Sequence, residues 1–184
     1  MRTAILLLVV HASVPASAAT LFARTGVGLG FGLYTYPTQV QAGRSASGVL
    51  ANYGLDAAAQ FSNGLLVGGT ASFDPILGIN GISPSGTRRT ALLTPGGGFG
   101  PLIGVHLDRF VVYLALMFGG GGAASIAGGF GPYLAPFVGY TFLKNERLHV
   151  MGHVRPLFGY LIDVQAGGPV LFLGGTGGIS IALM

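Results

Sequence analysis

The sequence predicts an all-β fold, namely an eight-stranded antiparallel up-and-down β-barrel that spans a membrane. Three observations support this prediction. Hydrophobic residues make up 51% of the 184 residues and charged residues only 8%, far below the roughly 25% of ordinary soluble domains. Apolar residues recur at every second position along most of the chain, as in strands whose successive side chains point to opposite faces. Short turns tend to alternate with longer connections, as expected of an outer-membrane barrel.

A secretory signal is predicted at the N-terminus. Arg2 supplies the positive charge, residues 4–10 form an apolar run, and Ala16-Ser17-Ala18 has the small-x-small pattern of a cleavage site. An uncleaved membrane anchor is disfavoured, because the apolar run is much shorter than the ~20 residues of a spanning helix. We therefore predict a signal peptide over residues 1–18 and a single barrel domain over residues 19–184.

The first four predicted strands each place apolar residues on one face. In residues 27–33 every odd position is apolar and every even position is glycine. In residues 49–61 the odd positions are apolar, whereas the even face carries Asn52 and Asp56. Since a strand turns alternate side chains to opposite faces, we expect the polar face to point inward. The third and fourth strands are predicted over residues 65–74 and 98–107.

The last four predicted strands follow the same alternation. They cover residues 110–118, 133–143, 149–163 and 171–183. Three prolines, Pro101, Pro136 and Pro156, fall inside predicted strands. Because proline cannot donate a ladder hydrogen bond, we expect these prolines at bulges or at the rim.

The connections between the strands tend to alternate in length. The turns near Asn63, Asp108 and Asn145 are short. The longer connections, predicted over residues 36–47, 75–89 and 119–131, are rich in Gly, Pro or Ser, and the last one, over residues 165–168, is short again. Short turns on one rim and longer loops on the other are typical of outer-membrane barrels. Lipid offers no hydrogen-bond partner to a free sheet edge, so the barrel must close.

With these segments the chain resembles the small eight-stranded outer-membrane barrels, the OmpA/OmpX-like class. The likeness covers nearly all of the chain after residue 18. In this class the final strand is read by the barrel-assembly machinery, and Ile179, Ile181 and Leu183 alternate as such a strand does, although Met184 stands where an aromatic residue is usual. The resemblance implies an outer-membrane location, contact with outer-membrane lipid and lipopolysaccharide, and assembly by that machinery.

The candidate site lies among the ionisable residues on the predicted inner face, which are Asp56, Asp74, His106, His149, His153, Arg155 and Asp163. The predicted site consists of five of them, Asp56, His149, His153, Arg155 and Asp163. Eight strands enclose a lumen just wide enough for side chains. We therefore expect these residues to form a polar network that fills the lumen, with Arg155 paired to Asp56 or to another inward carboxylate. Bare inward glycines are expected to leave room for large side chains, namely Tyr113, Tyr133, Phe137 or Met117.

Catalytic and metal-binding chemistry is not indicated. Some barrels resembling this class deacylate lipid A with a lipid-facing Ser-His-acid group, whose histidine and serine lie two apart on one strand. Here Met151 stands at that spacing from His149, and Arg155 at that spacing from His153. The two histidines would lie about 13 Å apart along a strand, too far for one ion. We predict no catalytic residue, no cofactor and no metal.

The sequence favours a non-enzymatic integral barrel with a structural or surface-interaction role. The alternative is a small lipid- or ligand-binding barrel or a narrow channel, and a lipid A-modifying enzyme is least favoured. A helical span over residues 110–127 is disfavoured by the glycine run 119–122. Lysine and arginine number nine and are scattered, which disfavours nucleic-acid binding. We expect Arg44, Arg88 and Arg89 to meet acidic groups of lipopolysaccharide.

Overall fold

The structure, a computed structural model, describes residues 19–35, 45–82, 88–123, 127–163 and 168–184. The predicted signal peptide, residues 1–18, lies outside these ranges. The strands are β1 (Thr20–Thr35), β2 (Ser45–Gln60), β3 (Leu65–Phe73), β4 (Ile76–Ile82), β5 (Arg88–Thr94), β6 (Gly96–Leu107), β7 (Phe110–Ala123), β8 (Ala127–Lys144), β9 (Leu148–Ile162) and β10 (Pro169–Leu183).

Eight of these strands close into a barrel. Their order is β1-β2-β3-β6-β7-β8-β9-β10, and β10 pairs with β1. The closing pair runs from Ala23↔Leu183 to Thr35↔Leu171. All neighbouring strands are antiparallel. The predicted all-β, eight-stranded antiparallel barrel is therefore confirmed.

In the part of the chain that the structure describes, no helix is long and apolar enough to cross a membrane.

Two of the connections predicted to be long loops are largely strand. In the connection predicted over residues 75–89, β4 pairs with both β2 and β5, and β5 leads into β6. In the connection predicted over residues 119–131, β7 and β8 stay paired as far as Ala123↔Ala127. The loop predictions were wrong because main-chain bonds between neighbouring strands continue the pairing into these segments. In β7 and β8 the pairing runs through glycine, which weakens a strand without ending it.

Side chains alternate between the outside of the barrel and the lumen as predicted. Leu29, Tyr53 and Val138 point outward and are 65%, 46% and 41% exposed. Asn52 and Asp56 point inward and are 4% and 5% exposed. The alternation in the sequence therefore assigns the two faces of the wall correctly.

The wall prolines lie at neither bulges nor rims, so that expectation was wrong. Pro101, Pro136 and Pro156 lie inside β6, β8 and β9, and the wall keeps its register across each of them. The register shift between β8 and β9 lies elsewhere, between Thr141 and Leu143. The pairs that flank the prolines are Phe99↔Phe118, Leu102↔Ala115, Leu134↔Phe158 and Val138↔Val154. Proline thus removes a ladder bond here without displacing the strand.

Inward glycines make room for large side chains, as predicted. A Cβ atom on Gly98 would lie 2.6 Å from Tyr133 Oη. A Cβ atom on Gly139 would lie 2.8 Å from Phe137 Cε1. Bare backbone at these positions is therefore needed to fit the aromatic rings into the lumen, where Tyr113, Met117, Tyr133 and Phe137 are all buried.

Candidate functional site: the polar lumen

The centre of the lumen holds a buried ion pair between β1 and β2. Arg24 Nε donates to Asp56 Oδ2 over 2.5 Å, and the two side chains are 1% and 0% exposed. The register of the two strands sets Arg24 directly opposite Asp56. The pair is thus built by the strand pairing itself and is shielded from water.

Both ions of this pair are fully engaged. The Arg24 guanidinium also donates to Ser180 Oγ over 2.8 Å and to Tyr113 Oη over 3.1 Å. The Asp56 carboxylate accepts hydrogen bonds from Tyr113 Oη and from Thr70 Oγ1, both over 2.6 Å. A buried ion pair is tolerated only when its remaining hydrogen-bonding groups are satisfied, and these contacts meet that condition.

Aromatic rings pack around the guanidinium. Its Cζ atom lies 4.2 Å from the centroid of the Phe137 ring, within cation–π range. The Phe137 ring stacks on the Tyr113 ring at 4.6 Å and on the His153 ring at 5.2 Å. We call Arg24, Asp56, Thr70, Tyr113, Phe137, His153 and Ser180 the central network.

His153 joins the central network through a serine. Its Nδ1 atom lies 2.7 Å from Ser180 Oγ, across the pairing of β9 with β10. A hydrolytic triad also needs a carboxylate that is hydrogen-bonded to the second ring nitrogen of the histidine. His153 Nε2 has no hydrogen-bond partner among the described residues. Ser180 is 1% exposed and faces the lumen, so this pair is not the lipid-facing triad of a lipid A deacylase.

A second ion pair lies nearby and is formed by Arg155 and Asp74. Arg155 Nη1 donates to Asp74 Oδ1 over 3.2 Å, and Nη2 donates to Ser72 Oγ over 3.3 Å. Asp74 also accepts hydrogen bonds from Ser72 Oγ, over 2.5 Å, and from the side-chain Nδ2 of Asn52. Arg155 was expected to pair with Asp56 or with another inward carboxylate. The structure places Asp74 beside it, whereas Asp56 pairs with Arg24.

The other two predicted residues lie apart from both ion pairs. His149 is 3% exposed, and its ring centroid lies 5.8 Å from that of His106, close to the short turns. Asp163 lies at the other end of β9, where its backbone N–H donates to Gly168 O over 2.8 Å. The structure thus brings Asp56 and His153 together in the central network and places Arg155 in the second pair.

Arg24 is the residue that the sequence-based prediction missed. Glycines at even positions of β1 mark the inner face from Gly26 onward. One further step of the same alternation, from Gly26 back to Arg24, would have placed Arg24 inward. The predicted alternation of the first strand begins at Val27, three residues after Arg24, so the prediction does not include this cation of the lumen.

Side chains fill the lumen at the level of these networks. Arg24, Arg155 and Phe137 are 3%, 2% and 0% exposed, although a pore wide enough for water would leave its lining accessible. A cavity beside Tyr133 and Phe172 measures about 10 Å³, which is about the space that one water molecule needs. Among the described residues, no group of three or more His, Cys, Asp or Glu is placed to hold a metal ion. The side chains of the two ion-pair networks therefore close the lumen.

Comparisons with known proteins show likeness in shape only. No protein-family model matches the chain, and no curated protein matches its sequence. Solved structures similar to it include the outer membrane protein OprG from Pseudomonas aeruginosa, with a TM-score of 0.48 and 11% identity over 90% of this chain and 96% of that one. Another is Ail, the attachment invasion locus protein of Yersinia pestis, with a TM-score of 0.46 and 12% identity over 88% and 97%. The outer membrane protease OmpT from Escherichia coli is more distant, with a TM-score of 0.32 and 8% identity over 93% and 99%.

Proposed function

We propose that the chain is an integral outer-membrane β-barrel with neither enzymatic nor channel activity, and that its role is structural or one of surface interaction. The observation that carries this proposal is the combination of an apolar outer wall with a lumen filled by ion-paired side chains. An apolar outer wall is suited to contact with lipid, and a filled lumen blocks the passage of ions and solutes.

The outer wall supports the membrane location. Large apolar side chains are exposed on every barrel strand, and contiguous apolar surface of this extent marks a contact with lipid or protein. A barrel strand crosses the hydrocarbon layer in roughly 9–11 residues, and β3, the shortest barrel strand, has 9 residues. Exposed aromatic residues, which border the apolar band in such barrels, lie towards both rims: Phe110, Tyr140 and Phe142 near the short turns, and Phe73, Phe99, Phe118 and Phe130 on the other side.

The filled lumen disfavours the alternative functions. A small-ligand barrel or a narrow channel needs free volume, whereas Arg24, Asp56 and Phe137 occupy the centre of this one. A lipid A-modifying enzyme needs its nucleophile at the lipid surface, and Ser180 faces inward. The geometry thus supports a non-enzymatic and closed barrel best.

The proposed partners follow from the two ends of the barrel. The outward residues of β10, Ile179, Ile181 and Leu183, are 56%, 44% and 55% exposed, and we propose that the barrel-assembly machinery reads this strand. Arg88 and Arg89 begin β5 on the rim opposite the short turns, and we propose that they meet phosphates of lipopolysaccharide. Arg44, which belongs to the same proposal, lies outside the described residues.

Planar-bilayer recording tests the closed state directly. We expect the refolded wild-type protein to give no discrete conductance steps. The double variant Arg24→Ala with Phe137→Ala removes the guanidinium and the ring beneath it, and we expect it to conduct. Heat-modifiable migration on a gel serves as the folding control for both proteins. Regular open-channel steps from wild-type protein would contradict the proposal.

A further inference from the structure

Proline is concentrated at one seam of the barrel wall, the line along which β8 pairs with β9. Pro132 and Pro136 belong to β8, and Pro156 belongs to β9. The pairs Leu134↔Phe158 and Val138↔Val154 continue one register across the gap between them. That register sets Pro136 directly opposite Pro156.

Nearby backbone hydrogen bonds show which way these nitrogens face. In β8, the amide of odd-numbered Thr141 donates away from the seam, to Arg109 O over 2.7 Å on the β7 side. After β9, the amide of odd-numbered Asp163 donates to Gly168 O over 2.8 Å on the β10 side. Since amides alternate in direction along a strand, even-numbered residues face the seam, and Pro132, Pro136 and Pro156 are all even-numbered.

The seam therefore lacks three ladder donors. The pairing of β8 with β9 is interrupted between Phe130↔Ile162 and Tyr133↔Gly159 and again between Leu134↔Phe158 and Val138↔Val154. The carbonyls of Tyr160, Pro136 and Pro156, which face the three prolines, receive no ladder bond. Lipid supplies no donor in place of the missing amides.

The seams on either side are continuous. β7 and β8 pair at every residue from Phe110↔Tyr140 to Ala123↔Ala127. β9 and β10 pair at every residue from Leu148↔Leu183 to Ile162↔Pro169. A line with three missing bonds thus lies between two complete ladders.

We propose that the β8–β9 seam is a built-in line of local opening, at which the wall separates transiently while the adjoining seams stay paired. Local opening is governed by the bonds that must break, and this seam has the fewest to break for its length. This local opening concerns the pairing of the wall strands alone and does not depend on whether ions pass through the lumen.

Amide hydrogen exchange of the folded barrel in lipid nanodiscs, read by NMR, tests the proposal within single strands. Along β9, the amides of Val154 and Phe158 face the seam, and those of His153 and Leu157 face β10. We expect the seam-facing amides to exchange about tenfold faster, roughly the effect of losing one net hydrogen bond. Alternate amides of β10 face β9 on one side and β1 on the other, and both of these ladders are continuous. They serve as the internal control and should show no such difference.

The double variant Pro136→Val with Pro156→Val returns two donors to the seam. We expect the seam-facing amides of β9 to slow to within about twofold of their neighbours, because the ladder bonds re-form. Pro101→Val, on the β6–β7 seam, should leave the β9 pattern unchanged. Equal exchange on both sides of wild-type β9 would overturn the proposal, and that comparison decides the matter even if the double variant fails to fold.

Discussion

Replacing Arg24 with methionine should be among the most costly single substitutions in this chain, because it leaves a carboxylate buried without its cation. The Arg24 side chain is 1% exposed and the Asp56 side chain 0%, so water does not compensate for the loss. Breaking a buried ion pair by removing one partner typically costs about 3–5 kcal/mol. We expect Arg24→Met to lower the free energy of unfolding by that amount.

The same argument predicts that the loss is largely recovered in a double variant. Asp56→Asn alone leaves the guanidinium without an anion and should also cost about 3–5 kcal/mol. In Arg24→Met with Asp56→Asn neither charge remains, so the two costs should not add. A coupling energy of about 2–3 kcal/mol is expected for residues in direct contact within one network.

Equilibrium urea unfolding in phospholipid vesicles measures these free energies. The chain has no tryptophan, so the transition is followed by far-ultraviolet circular dichroism and by heat-modifiable gel migration. The exposed pair Lys144–Asp108, with side chains 47% and 78% exposed, provides the control, since Lys144→Ala should cost no more than about 1 kcal/mol. If Arg24→Met lowers the free energy of unfolding by less than about 1 kcal/mol, or if the two costs are strictly additive in the double variant, the buried ion pair does not stabilise the barrel as argued.

Two further substitutions, each with a matched control substitution, test the packing of the lumen in the same titration. Gly68→Ala would place its Cβ 2.1 Å from Ala57 O and 2.4 Å from Ala58 Cα. We expect this substitution to lower the free energy of unfolding by about 3 kcal/mol or more. The control is Gly32→Ala, whose Cβ would meet apolar side-chain atoms at 3.4 Å, and it should change the free energy of unfolding by less than about 1 kcal/mol. A well-folded, fully stable Gly68→Ala protein would show that these strands lie farther apart. Phe137→Ala should cost about 3–5 kcal/mol because the ring is fully buried and its removal leaves a cavity in the lumen. Phe99 is 67% exposed on the outer face, where lipid fills the space that the ring leaves, so Phe99→Ala should cost less; equal costs would contradict the assignment of faces.

Most of the barrel can be predicted from the sequence because strand pairing has a simple signature here. Each barrel strand separates lipid from a narrow lumen, so apolar outward residues recur at every second position and the residues between them face inward, as at Tyr53 and Asp56. Turn signals near Asn63, Asp108 and Asn145 then mark the short rim. Glycine misled the prediction of a loop over residues 119–131, since residues 119–123 and 127–131 resemble a connection in sequence but pair with each other through the main chain.

The site was less predictable because the side chains that bind each other in it are far apart in the sequence. Arg24 and Asp56 are 32 residues apart, and Arg155 and Asp74 are 81 apart. The alternation shows that each points inward, but only the register of the closed barrel decides which inward charges meet. The same holds for Ser180 and His153, which a search for both residues on one strand overlooks.

Carbene labelling from a photoprobe dissolved in the lipid tests the central claim most directly, because it reports which side chains face lipid. The assignment of faces predicts strong labelling at Leu29, Tyr53 and Val138, and none at Asn52 or Asp56, measured by mass spectrometry of the refolded protein. Strong labelling of Asn52 and Asp56 with Leu29, Tyr53 and Val138 protected would contradict a closed barrel with a filled lumen and a lipid-facing apolar wall.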